Sequence, residues 1–196
     1  MSYGPANVIA FEFDLSLAAR RSVASLYSHL VTRPTGRALR LGIESQIGEL
    51  NACCLSVLDF TQVIVLDYSC ADEAVAKLVQ RYSGADRPND VYFVARGLGE
   101  QHREPIEAVL SRHGLALAAE LGGGGFVLLG AVSGDEHAAF VEVERARAAN
   151  AVQIAASLGR QIDEMTDVLD VLAHRRVVLR RGDGRFLALS SLLEGR

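Results

Sequence analysis

Lysine is almost absent from this chain: Lys77 is the single one among 20 basic residues, the rest being arginine. A lysine-dependent phosphate loop or Schiff-base centre is therefore excluded everywhere except around Lys77. Cysteine is scarce as well. Cys53, Cys54 and Cys70 are odd in number, two are adjacent, and none has metal-ligand spacing. They read as small buried thiols of a reducing compartment. Proline occurs only 4 times in 196 residues, against 49% hydrophobic and 22% charged residues, which excludes a disordered chain. No apolar run approaches the ~20 residues that span a bilayer. Met1–Ala10 lacks the basic and apolar regions of a signal peptide. The expectation is a cytoplasmic protein with no membrane contact. Positive charge is not in excess either: 24 acidic against 20 basic side chains give a formal net charge of -4. That excludes broad electrostatic coating of nucleic acid or anionic lipid.

What is present is an alternation of strand and helix signals. Val8–Phe13, with its β-branched and aromatic residues, reads as a strand, and Leu17–Leu30 has helical spacing. A break at Thr32-Arg33-Pro34-Thr35 predicts a second helix from an N-cap at Thr35 to Leu50, with Ala38, Leu39, Ile43 and Ile47 inward. Leu55–Phe60 and Val63–Leu66 form the most hydrophobic stretch, as expected of a strand covered on both faces. A helix then opens at Ser69-Cys70-Ala71-Asp72-Glu73 and runs to about Gln80. Val91–Arg96 reads as a strand, Pro105–His113 as a helix, and Leu115–Leu121 with Phe126–Val132 as a hairpin across four glycines. The fold class is α/β, a mixed sheet with packed helices.

The character changes at Ser133-Gly134-Asp135. Beyond it lie helices at His137–Ala149, Ala151–Leu158 and about Ile162–Ala173. Strands at Val177–Arg180 and Arg185–Leu189 follow, joined through Asp183-Gly184. Three helices and a hairpin outline a small winged helix-turn-helix domain. The expected division is residues 1–133 and residues 134–196.

Two resemblances add to this. The stretch Leu58-Asp59-Phe60, Val63, Asp67 and the helix directly after it resembles the STAS domain of sulfate transporters and anti-sigma-factor antagonists. It is still more similar to a prokaryotic STAS-like family of unknown function, through Ser69-Cys70-Ala71-Asp72-Glu73 and an upstream Thr32-Arg33 before Gly36 and Arg37. The resemblance implies a partner-control turn. In anti-sigma antagonists a kinase phosphorylates the serine that follows the aspartate. Here Asp67 matches the aspartate, Tyr68 falls on the acceptor position and Ser69 comes next. Ser69 is thus either a phosphoacceptor at a helix N-terminus or part of a Ser69-x-x-Asp72 capping box. Asp72 and Glu73 are adjacent and do not face each other, so they read as dipole partners open to pairing with Arg33 or Arg37. The second resemblance is to winged-helix regulators, with Asn150–Leu158, Gly159 and Gln161–Arg175 in the helix-turn-helix positions.

Charge qualifies that second resemblance. Residues 161–173 carry Asp163, Glu164, Asp167 and Asp170 with no base, a poor surface for a major groove. The wing carries Arg175, Arg176, Arg180, Arg181 and Arg185 against Asp183 alone. These arginines suit phosphates or an acidic protein partner, or belong to a solvated hairpin. No metal or cofactor site is expected. The five histidines have no ligand spacing, Arg96-Gly97-Leu98-Gly99 lacks the lysine, third glycine and acid of a nucleotide loop, and no nucleophile–base arrangement is visible. The sequence thus predicts a non-catalytic transcription or signalling regulator that binds a protein through its STAS-like domain and DNA through its wing. The alternative is a protein–protein adaptor without DNA binding. Either is compatible with a homo-oligomer.

Overall fold

A computed structural model describes residues 9–14, 29–50 and 53–193. The expected helix over Leu17–Leu30 falls mostly outside these. Its last two residues, His29–Leu30, form a short strand, β2, rather than helix, because they pair in parallel with β4 (Val65–Leu66). The main sheet has the order β1 (Ile9–Asp14), β3 (Cys54–Asp59), β5 (Val91–Arg96), β6 (Ala116–Glu120), β7 (Phe126–Gly130). The first four run parallel and β7 is antiparallel to β6, so the sheet is mixed and the fold is α/β.

Three helical segments link the parallel strands. Helix α1 is Arg33–Leu50. It starts two residues before the expected N-cap at Thr35, because the Thr32 carbonyl accepts the Gly36 N–H at 3.2 Å. Pro34 then sits in the first turn, where a missing N–H costs nothing. Leu39, Ile43 and Ile47 are buried at i, i+4 spacing, whereas Ala38 is exposed. Helix α2 is continuous through an α segment Tyr68–Ala71, a π segment Asp72–Ala76 and an α segment Lys77–Ser83. Helix α3, Glu100–Arg112, begins five residues before the expected start at Pro105. Its first turn is anchored by buried His102, whose Nδ1 accepts the Gly99 N–H at 3.1 Å and whose ring lies tilted 5.9 Å from that of Phe60, so the helix is set upstream of Pro105.

The strands are apolar on both faces because both are covered. In β5, Val91, Phe93 and Ala95 join the cluster beneath α1, α2 and α3, with Leu58, Leu78 and Ile106. Tyr92 and Val94 point the other way, as the period of two requires. There they meet α4 (Gly134–Ala146) through Phe140 and Val143, and α6 (Ile162–His174) through Met165, Leu169 and Leu172.

The C-terminal chain runs α4, β8 (Ala148–Ala149), α5 (Ala151–Leu158), α6, β9 (Val178–Arg180), β10 (Phe186–Ala188) and α7 (Ser190–Leu193). Residues 148–149, expected to close the first helix, instead form β8 on the far side of β10, giving a sheet β8-β10-β9. Capping boxes at Ser133 with Glu136 and at Asn150 with Gln153 set two helix starts, and Gly159 at φ +64° ends α5. Among the described residues no helix is long and apolar enough to cross a membrane.

Candidate functional site

The turn into α2 is built on Asp67. Its Oδ1 accepts the Cys70 N–H at 2.6 Å and the Ser69 hydroxyl at 2.9 Å. Its Oδ2 accepts the Thr32 N–H at 3.0 Å, tying the start of α1 to the start of α2. Burial would raise the Asp67 pKa, but these donors outweigh it and hold the carboxyl below its ordinary value. Asp67, not Ser69, is therefore the cap, and the expected Ser69-x-x-Asp72 box does not form. The reason is reach: a carboxylate three residues before an amide spans the first turn, and Ser69 already lies inside the helix. Ser69 is half-buried; Tyr68 is exposed, and its hydroxyl donates to Glu104 Oε1 at 2.8 Å. That contact raises the Tyr68 pKa.

One turn further on, the π segment carries Asp72 and Glu73 inward, where both are buried. Arg33 bridges the two, Nη1 lying 3.0 Å from Asp72 Oδ2 and 3.1 Å from Glu73 Oε1. Arg37 takes no part in this bridge. Lys77 pairs with Glu73 one turn along the helix, and Arg40 lies 3.6 Å from it. From the C-cap of α3, His113 Nε2 comes within 2.7 Å of Asp72 Oδ1. Burial opposes ionisation of Asp72, yet His113 and Arg33 keep its pKa low. Glu73 is held low chiefly by Lys77, against burial, with help from Arg33.

Gly36 makes this junction fit. A Cβ there would lie 2.7 Å from the Cys70 carbonyl oxygen and 2.9 Å from Glu73 Cβ, so only glycine lets α1 press so closely on α2. The network neutralises two buried acids and locks three helices together. Among the described residues no serine, threonine or cysteine is hydrogen-bonded to His113, and no group of three His, Cys, Asp or Glu side chains is placed to hold a metal.

Four apolar side chains on the segments flanking the turn are exposed, beside exposed His29, Thr32 and Arg33. Val31, Val65, Ile64 and Tyr68 are 36%, 38%, 59% and 50% exposed. The segments that carry them are joined where β2 pairs with β4 and the Asp67 N–H donates to the Leu30 carbonyl.

The five arginines between 175 and 185 divide into two sets. Arg176 is 9% exposed, pairs with Asp90 and stacks its guanidinium 4.7 Å from the Tyr92 ring centre. Arg175 is half-buried, donates to the Ala131 carbonyl and lies 3.6 Å from Glu136. Both therefore tie the C-terminal elements to the chain flanking the main sheet rather than facing outward with the β9–β10 hairpin. Arg180 is exposed but paired with Asp170 at 2.8 Å. Arg181 and Arg185 lie exposed in the hairpin with Asp183. On α6, Asp163, Glu164 and Asp167 are exposed.

Sequence reasoning missed His113, Arg40 and the capping role of Asp67. The Glu73/Lys77 spacing of four was a readable signal, but His113 stands 41 residues from Asp72 and left none. No family model matches the chain, and no curated protein or solved structure matches it either.

Proposed function

We propose that the protein is a non-catalytic, cytoplasmic regulatory adaptor made of a STAS-like α/β unit, residues 1–133, and a winged-helix unit, residues 134–196. Its α/β unit binds a protein partner at the start of α2. The observation that carries this reading is the exposure of Val31, Ile64, Val65 and Tyr68 on the paired segments flanking the Asp67 cap. Exposed side chains of this size on adjoining segments favour a protein contact once water is removed from them. The Asp67 cap and the Arg33 bridge hold that surface rigid, so little ordering entropy is lost on binding. A phosphate added at Ser69 would sit beside the Asp67 carboxylate that its hydroxyl now reaches, and would change the charge at the start of α2.

For the winged-helix unit the exposed acids of α6 favour a protein-facing role, because three carboxylates beside phosphates are repelled. A second reading, DNA contact through the wing, rests on exposed Arg180, Arg181 and Arg185. Three arginine–phosphate contacts correspond to a slope of about -3 in log affinity against log salt.

The test is recovery of the tagged full-length protein from the cells that make it, with and without nuclease, beside the variant Ile64→Asp. Partner retention through nuclease and loss with Ile64→Asp, at unchanged thermal stability, supports the adaptor. A partner that survives Ile64→Asp refutes the proposed surface. Binding of a random duplex at low salt with a slope near -3, abolished by Arg181→Gln with Arg185→Gln, supports the wing reading instead.

A further inference from the structure

Three guanidinium groups from three separate elements converge on one polar cleft of about 370 Å3. Arg87 comes from the loop after α2, Arg176 from the turn after α6, and Arg180 from β9. They face two carboxylates: Arg87 Nε donates to Asp90 Oδ1 at 2.9 Å, Arg176 pairs with the same oxygen, and Arg180 Nη1 donates to Asp170 at 2.8 Å. The cleft therefore holds one positive charge more than negative before His174, which also lines it, is counted.

The burial of these groups is asymmetric. Arg176 is 9% exposed, whereas the Asp90 side chain is 53% exposed and that of Asp170 42%. A buried cation needs an anion beside it. An exposed carboxylate loses little by turning to water. Arg176 is also fixed in place. It occupies a left-handed position, φ +60°, at the end of α6, and its guanidinium lies against Tyr92. The last carbonyls of α6 are engaged rather than turned into the cleft unpaired: Val171, Leu172 and Ala173 accept N–H groups from Arg175, Val177 and Arg176 at 2.9–3.1 Å.

We propose that this cleft is a binding site for a small phosphomonoester. The phosphate oxygens take donors from Arg87, Arg176 and Arg180, and the phosphate displaces the exposed Asp90 carboxylate from Arg176. Guanidinium forks match phosphate oxygens in pairs, and a net charge of one suits a monophosphate better than a polyphosphate. The volume leaves room for a compact organic group beyond the phosphate. Because the ligand competes with Asp90, affinity in the unaltered protein is modest, and Asp90 sets it.

The same phosphate chemistry is offered by a nucleic-acid backbone, so the experiment includes both sources. The full-length protein is titrated calorimetrically with inorganic phosphate, with glycerol 3-phosphate and with a short DNA duplex, at constant ionic strength made up with sodium chloride. Saturable binding of phosphate and glycerol 3-phosphate is expected, tightened about tenfold by Asp90→Asn and weakened at least fivefold by Arg180→Gln. Arg180 is exposed, so that variant tests the site without endangering the fold. In chloride, Asp90→Asn should melt earlier than the unaltered protein, and phosphate should restore it by more degrees than it adds to the unaltered protein. Absence of saturable phosphate binding in both the unaltered protein and Asp90→Asn overturns the proposal. So does binding indifferent to Arg180→Gln, or binding confined to the duplex.

Discussion

Thr32, Arg147 and Arg176 hold positive φ angles of 79°, 63° and 60° without being glycine. Each costs of order 1–3 kcal/mol and persists only where surrounding contacts demand it. Thr32 sits where its N–H reaches Asp67, Arg147 donates to Ser190 Oγ at 2.6 Å, and Arg176 lies over Tyr92 beside Asp90. Replacing Arg176 by glycine relieves the backbone but removes one of the two arginine partners of Asp90 and uncovers Tyr92. Urea unfolding should show a net loss of about 1–3 kcal/mol; a gain would mean that the guanidinium contributes nothing. Cysteine reactivity is set by burial. Cys54 and Cys70 are fully buried, and burial pushes their thiols up to about 11 and about 12. Iodoacetamide at pH 8 should therefore leave both unlabelled in the native protein while half-buried Cys53 reacts slowly, as counted by intact mass. Glu142 is held down to about 2 by Arg145 and the Ser157 hydroxyl, against an ordinary 4.5. A lowered carboxylate stabilises fully above its unfolded pKa and ceases to do so as pH falls through the folded one. The melting difference between the unaltered protein and Glu142→Gln should thus be constant above pH 4.5 and shrink towards pH 2.

At the scale of elements, the close crossing of α1 over α2 controls the site. Gly36→Ala places a methyl group against the Cys70 carbonyl, so α1 must lift and the Arg33 bridge to Asp72 and Glu73 must lengthen. The expected cost is about 1–3 kcal/mol by denaturant unfolding, with no change in helix content by circular dichroism. Elements governed by local pattern were readable in the sequence. Ala151–Leu158 begins and ends where Asn150 and Gly159 put it, and of the stripe Met165, Val168, Leu169 and Leu172 that the spacing turns inward, all but half-buried Val168 are fully buried. Elements governed by distant partners were not. Residues 148–149 are strand only because β10 returns beside them, and 29–30 only because β4 does. The π segment at Asp72–Ala76 likewise has no local signature, and it turns two acids into the junction that Arg33 and His113 close.

Across the whole molecule, the apolar cluster on the second face of the sheet takes Leu55, Tyr92 and Val94 from the strands and Phe140, Leu169 and Phe186 from the C-terminal chain. Removing residues 134–196 would uncover that face, and burial of such side chains is worth about 1.5–3 kcal/mol each. The truncated chain 1–133 is expected to aggregate. The full chain should unfold in one transition, with circular dichroism and tyrosine fluorescence coinciding; two separated transitions would contradict the shared core. The sequence by itself determined the alternation of strand and helix, the mixed α/β class and the contrast between an acidic α6 and an arginine-rich hairpin. These follow from side-chain periodicity and turn chemistry acting within a few residues. Tertiary structure alone decided that Asp67 caps α2 while holding Thr32, that His113 reaches Asp72, and that Arg176 is spent inside on Asp90, 86 residues away. Such pairings depend on which elements the sheet order brings together, and no local pattern encodes that order.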